Sequence, residues 1–143
     1  MDQRLQQDDV LPRLSTAGEL AHAGAPAGDP ATGELRAKLA NAMVGMKKEY
    51  YGRGPTAAKA WLLDDYVFVA MEGGLTRSEE TLLAAGKADL VRNYRLAFQE
   101  AMAATTIGAV EEIIGRRVAT YHSQIVFDPA RAFEIFVLEP EGR

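Results

Sequence analysis

The sequence predicts an α+β two-layer sandwich with the element order α-β-β-α-α-β-β, and three observations carry that expectation. Apolar residues recur at helical spacing across Gly33–Tyr50 and Ala88–Ile114. They alternate with a period of two across Ala57–Leu63 and Tyr66–Met71, and strand-forming residues fill Val118–Phe127 and Ala132–Leu138. Short turn sequences join these strands in pairs, so two hairpins flank a helical pair. That order suits one four-stranded, largely antiparallel sheet with helices on a face.

Each element has its own signature. From Gly33 the positions Leu35, Leu39, Ala42, Met43, Met46 and Tyr50 form one helical stripe, with Thr32 as the N-cap. Gly52, Gly54 and Pro55 end that helix by supplying positive φ and then removing a donor. In the first strand Ala58, Ala60 and Leu62 alternate with Lys59, Trp61 and Leu63. Asp64-Asp65 makes a tight turn into the aromatic and β-branched run Tyr66–Met71. Glu72-Gly73-Gly74 breaks the hairpin, and Thr76-Arg77-Ser78-Glu79 has the form of a capping box. A short helix with Leu82 and Leu83 on its buried side follows, interrupted at Gly86.

Ala88–Ile114 then reads as one long helix whose stripe runs through Val91, Tyr94, Phe98, Ala101, Met102, Thr105, Ala109, Val110 and Ile113. Gly115 is its C-terminal stop, and Arg116 and Arg117 suit the negative end of its dipole. Asp128-Pro129, between the last two strands, matches the first two positions of a type I turn.

Composition divides the chain. Residues 1–32 hold no aromatic residue, whereas all 11 aromatics lie between Tyr50 and Phe136. This Ala/Gly/Pro-rich leader is expected to be a flexible arm, and residues 33–140 a single folded domain. Of the net charge of −4, the leader carries −3 and the remainder −1. A nearly neutral domain lacks the cationic field of a general nucleic-acid binder. The absence of cysteine excludes disulfides, thiolate metal sites and thiol nucleophiles. No apolar run approaches the ~18 residues of a membrane span. The opening MDQRLQQDDV is neither a signal peptide nor an Arg-rich transit peptide, so a cytoplasmic chain is expected.

Candidate sites are few. Lys47-Lys48-Glu49-Tyr50-Tyr51-Gly52-Arg53-Gly54-Pro55 brings two lysines, an arginine and glycine-flanked amides together, a set that could receive a small anion. Lys47, Lys48, Tyr51, Gly52, Arg53 and Gly54 are its candidate binding residues. The competing explanation is a basic helix C-terminus followed by a glycine stop, and phosphate cradles favour helix N-termini. His122 lies in a strand on the opposite face from Tyr121 and Ser123, which suits a partly exposed strand histidine better than a general base. The pairs Asp64-Asp65, Glu79-Glu80 and Glu111-Glu112 are adjacent, so their members diverge; turn, cap and solvated helix explain them. Lys87, Arg92, Arg95, Arg116 and Arg117 read as a solvated basic side with intramolecular pairing. No common catalytic or metal-binding signature is present, and neither an enzyme, a cofactor nor a metal is expected.

Four stretches carry a family resemblance: Lys48-Glu49-Tyr50-Tyr51-Gly52-Arg53-Gly54-Pro55, Met71-Glu72-Gly73-Gly74-Leu75-Thr76, Val110-Glu111-Glu112-Ile113-Ile114-Gly115-Arg116-Arg117-Val118 and Phe136-Val137-Leu138-Glu139-Pro140. In these the chain resembles the MpsC family, small bacterial proteins named after a sodium-translocating, membrane-potential-generating system. The resemblance covers about residues 33–140. It implies a soluble, non-enzymatic accessory or interaction protein linked to membrane potential or inorganic-carbon transport, cytoplasmic or peripheral to the inner face of the membrane. A protein partner is expected, and aromatic-rich edge strands and a wide helical stripe suit a homodimer. The alternative expectation is a small-anion- or nucleotide-binding regulatory domain using Lys47–Pro55.

Overall fold

The computed structural model describes residues 30–141, so the expected leader lies, up to residue 29, outside the described residues. Helix α1 (Pro30–Tyr51) leads into the hairpin β1 (Ala57–Leu63) and β2 (Tyr66–Glu72). Three helices follow, α2 (Arg77–Ala84), α3 (Ala88–Ala101) and α4 (Ala103–Ile114), then the hairpin β3 (Val118–Val126) and β4 (Arg131–Leu138). All strand pairs are antiparallel, in the order β1-β2-β4-β3. The two hairpins therefore meet through β2 and β4, each the later strand of its pair. The helices occupy one face of this sheet, giving the expected α+β two-layer sandwich.

Local chemistry explains most boundaries. The Thr76 hydroxyl accepts from the Glu79 amide at 3.3 Å, and the Glu79 carboxylate accepts from the Thr76 amide at 2.8 Å, closing the capping box on α2. Gly115 caps α4 at φ 77, a left-handed conformation that an L side chain resists.

Three expectations are corrected. Helix α1 begins at Pro30, so Thr32 lies within its first turn and is not the cap; proline is suited to that first position because it has no amide to leave unbonded. The long helix over Ala88–Ile114 is two helices that meet at Met102, where the backbone leaves helical geometry at φ −95 and ψ 3. In the connection from β3 to β4, Asp128 adopts φ 63 and its bond to Pro129 is cis, which is not type I geometry.

The core lies between α1, α4 and the inner face of the sheet. Leu39, Ala40 and Met43 of α1 pack with Ala58, Ala60, Val67, Val69, Met71, Phe136 and Leu138 from the strands and Val110 from α4. At roughly 1.5–3 kcal/mol for each large apolar side chain buried, this cluster is the main source of stability. The buried stripes of the helices also carry polar residues. On α1 the sequence Arg36, Leu39, Ala40, Met43 faces inward, and Arg36 Nε donates to the Ala60 carbonyl at 2.9 Å. On α3 the inward positions are Val91, Arg95 and Gln99, while Tyr94 of the expected stripe is exposed.

Candidate functional site

Alternation places Glu134 on the inner face of β4, level with Val69 of β2 and Ser123 of β3, and its side chain is wholly buried. A carboxylate there is tolerable only if its lone pairs are filled. The Tyr121 hydroxyl donates to Glu134 Oε1, and the Ser123 hydroxyl donates to Oε2 at 3.1 Å. The amide of Gln99, oriented by its neighbours, donates from Nε2 to Glu134 Oε2 at 2.7 Å and accepts from Lys47 Nζ at 2.9 Å. Lys47 Nζ itself lies 3.7 Å from Glu134 Oε2. One residue from each of α1, α3 and β4, with two from β3, therefore converge beneath the helices.

Burial governs the acid–base character of this cluster. It pushes the Glu134 carboxyl above its ordinary value against the pull of Lys47, and it lowers Lys47 against the pull of Glu134. Burial also raises the Tyr121 hydroxyl, which the adjacent Glu134 charge reinforces. A cavity of about 30 Å³, room for a water molecule, lies against Met43, Lys47, Phe98, Gln99 and Tyr121. A cleft of about 260 Å³, also lined by Gln99 and Tyr121, opens between Leu96, Glu100, Ala103 and Ser123.

A second polar cluster adjoins it. Arg95 grips the buried Glu79 through two bonds, Nε to Oε2 at 2.6 Å and Nη2 to Oε1 at 2.5 Å, and donates to the Gly74 carbonyl at 3.1 Å. Its guanidinium also stacks 3.7 Å from the centre of the Tyr51 ring. Burial alone would raise Glu79, but the hydrogen bonds from Arg95 and Thr76 outweigh it and hold the carboxyl below its usual range. Arg95 was expected on a solvated basic side; it is instead buried because its fork fits Glu79 bidentately. Arg92 does occupy the solvated side, pairing with Asp89 at 3.0 Å.

The residues of the Lys47–Gly54 segment are distributed among these environments. Lys47 turns inward to Glu134 and Gln99, whereas Lys48 is exposed. Tyr51 lies under Arg95 with its hydroxyl buried and without a hydrogen-bond partner among the described residues. The Gly52 amide donates to the Lys48 carbonyl at 2.9 Å and takes φ 78, a helix-stop geometry. Arg53 donates to the Leu75 carbonyl at 3.1 Å and pairs with Glu80 at 3.5 Å. Gly54 packs against α1, where a Cβ would meet that of Lys48 at 3.1 Å. The segment thus brings its cations to three separate places.

His122 lies exposed on the outer face of the sheet, with its Nε2 3.1 Å from the Thr120 hydroxyl. Asp65 pairs with Arg116 at 2.6 Å, and Glu111 accepts from the Val118 amide at 2.9 Å.

That outer face forms a grid fixed by register. Its four rows across β1, β2, β4 and β3 are Ala57–Glu72–Arg131–Val126, Lys59–Ala70–Phe133–Gln124, Trp61–Phe68–Ile135–His122 and Leu63–Tyr66–Val137–Thr120. Trp61 and Phe68 meet edge to face at 5.4 Å, and Phe68 and Phe133 lie 6.0 Å apart. Leu63 and Tyr66 are 65% and 53% exposed. No helix among the described residues packs on this face, although its centre is apolar.

The sequence pointed to neither Glu134 nor Gln99 as buried polar groups. The available signal was Glu134, a charge between Phe133 and Ile135 in a strand that is otherwise apolar after Arg131.

Among the described residues, no helix is long and apolar enough to cross a membrane. Comparison with curated proteins and with solved structures finds no match to this chain. A family match covers residues 31–140 and is described as the Na+-translocating membrane potential-generating system. With well over half of its length matched, the chain belongs to the MpsC family.

Proposed function

We propose that this chain is a non-enzymatic accessory or interaction protein serving a membrane-potential-generating system, working through a protein bound on the open face of its sheet. The outer face carries this reading. An antiparallel sheet that meets water on one side normally presents polar residues there. Here β2 and β4 present Tyr66, Phe68, Ala70, Phe133, Ile135 and Val137 outward. Strands apolar on both faces are built for burial on both, and a contiguous apolar patch rimmed by charge marks an interaction surface. The family's description supports a membrane setting, and on this reading the chain works at the inner face of the cytoplasmic membrane.

The test is co-fractionation with membranes of the native host. Wild-type chain is expected with the membrane fraction, and the Leu63→Glu/Tyr66→Glu variant in the supernatant with an unchanged circular dichroism spectrum. Retention of the folded variant on membranes would overturn the reading.

A second reading, a small-anion- or nucleotide-binding regulatory domain using Lys47–Pro55, is favoured by the exposure of Lys48 and Arg53 on either side of the bend at Gly52. A melting temperature raised by phosphate, nucleotides or bicarbonate, with the rise abolished in Arg53→Ala, would decide for it.

A further inference from the structure

We infer that the occupant of the outer sheet face is a second copy of this chain, packed sheet against sheet about a two-fold axis parallel to the strands and passing between β2 and β4. This rests on the reading of that face as a protein-binding surface and names its partner. Three observations on the grid support it.

First, the order β1-β2-β4-β3 places two central strands side by side, so rotation about such an axis lays β2 of one copy over β4 of the other. Rows are preserved by that rotation. Glu72 then lies over Arg131 of the second copy, and Arg131 over its Glu72, so the opposite-charge pair forms twice across the axis. Phe68 lies over Ile135, Tyr66 over Val137 and Ala70 over Phe133, all apolar against apolar. At the edges Lys59 comes over the neutral Gln124, and Trp61 over His122. No like charges are brought together.

Second, the extent is right. Four strands ~4.8 Å apart and about seven residues long project a footprint of ~450 Å² before side-chain relief is added. That is the scale on which an interface of ~800 Å² accessible surface per partner is built.

Third, the residue types follow interface anatomy. Phe68, Ala70, Phe133 and Ile135 form the centre, flanked by Trp61, Tyr66 and Val137, while Lys59, Glu72 and Arg131 gather at one end. Two sheets packed in this way stand ~10 Å apart with strands near −30°, so the central pairs are displaced least by the twist.

The experiment is sedimentation of the full chain and of two charge variants. Wild type is expected to be a dimer at roughly 100 μM. Glu72→Arg alone sets arginine against arginine across the axis, and Arg131→Glu alone sets glutamate against glutamate. Each is expected to self-associate at least about tenfold more weakly. An equimolar mixture of the two should dimerise again, because every facing pair is then opposite in sign; a purely intramolecular role for these residues would not produce that rescue. A monomeric wild type, or folded variants whose mixture gains nothing over either alone, overturns the second copy.

If the charge variants do not fold, Tyr66→Cys in an otherwise unaltered chain decides. The natural sequence has no cysteine, so a short bis-maleimide can join only the two introduced thiols. A cross-linked dimer at the same concentration of roughly 100 μM supports the inference, and its absence overturns it. Trp61, the sole tryptophan, gives an independent readout, with emission shifting to the red as a dimer is diluted apart. A monomeric chain whose membrane association is still lost in Leu63→Glu/Tyr66→Glu overturns the second copy and leaves the protein-binding face standing. A dimer broken by that variant while membrane association persists overturns the functional reading and not the dimer.

Discussion

Glu134 occupies a position where the alternation of β4 calls for an apolar side chain, and the protein accommodates it with four partners drawn from three elements. Removing a partner from such a buried pair costs more than the pair contributes, because the other charge is stranded. Glu134→Ala should therefore destabilise by about 3–5 kcal/mol, and Arg95→Ala, which strands Glu79, by a similar amount, measured by urea unfolding. The titration of Glu134 has a definite sign. Its folded value is raised above 4.5, so the folded chain keeps a proton that the unfolded chain has released. That contribution is full below pH 4.5 and is lost as pH rises through the folded value. Lys47 runs the other way: its folded value lies below 10.5, so its contribution is present above pH 10.5 and lost as pH falls through the folded value. Glu134→Gln should abolish that loss of stability, seen as a flatter unfolding free energy from pH 4.5 upward.

At the scale of elements, the caps and stops are the parts that local chemistry controls. Thr76→Ala should cost about 1 kcal/mol, since it leaves an orphan amide at the start of α2. Gly115→Ala should cost roughly 1–2 kcal/mol for conformation alone, because φ is 77 there and no atom lies within 4 Å of the added Cβ. Thermal unfolding of the two variants checks both values. Helical periodicity located α1 and α3, but it oriented them through hydrophobicity. The true inward faces include Arg36, Lys47, Arg95 and Gln99, which hydropathy assigns to water. Beyond Met102 the buried position is Thr106, one residue on from Thr105 of the expected stripe.

For the whole molecule, the sheet divides two kinds of surface. Its inner face carries the apolar core and the ionic cluster around Glu134, and its outer face carries the grid centred on Phe68. A chain that pairs through the outer face gains stability by mass action, so its melting temperature should rise with protein concentration. The Leu63→Glu/Tyr66→Glu variant should melt at one temperature at all concentrations, as scanning calorimetry would record. Both positions are exposed, but they face each other across the hairpin, so the two glutamates repel and the single chain should lose about 1 kcal/mol.

The sequence by itself determined the element order, both hairpins, the capping box at Thr76 and the stop at Gly115, because each depends on residues within a few positions of one another. It also placed His122 on the opposite face from Tyr121 and Ser123, since a strand's period is fixed by its backbone. Tertiary structure alone decided that the lysine at 47 and the glutamate at 134 meet through Gln99, and that Arg95 reaches Glu79. Those partners lie far apart in sequence, and a charge reads as solvent-facing until its counter-charge is known. The same holds for the candidate segment Lys47–Gly54, whose neighbours in sequence are sent to three places by the packing of α1 against the sheet. Pairing order decided the outer face as well: the strands were legible one by one, but only β2 beside β4 joins their apolar sides into one surface.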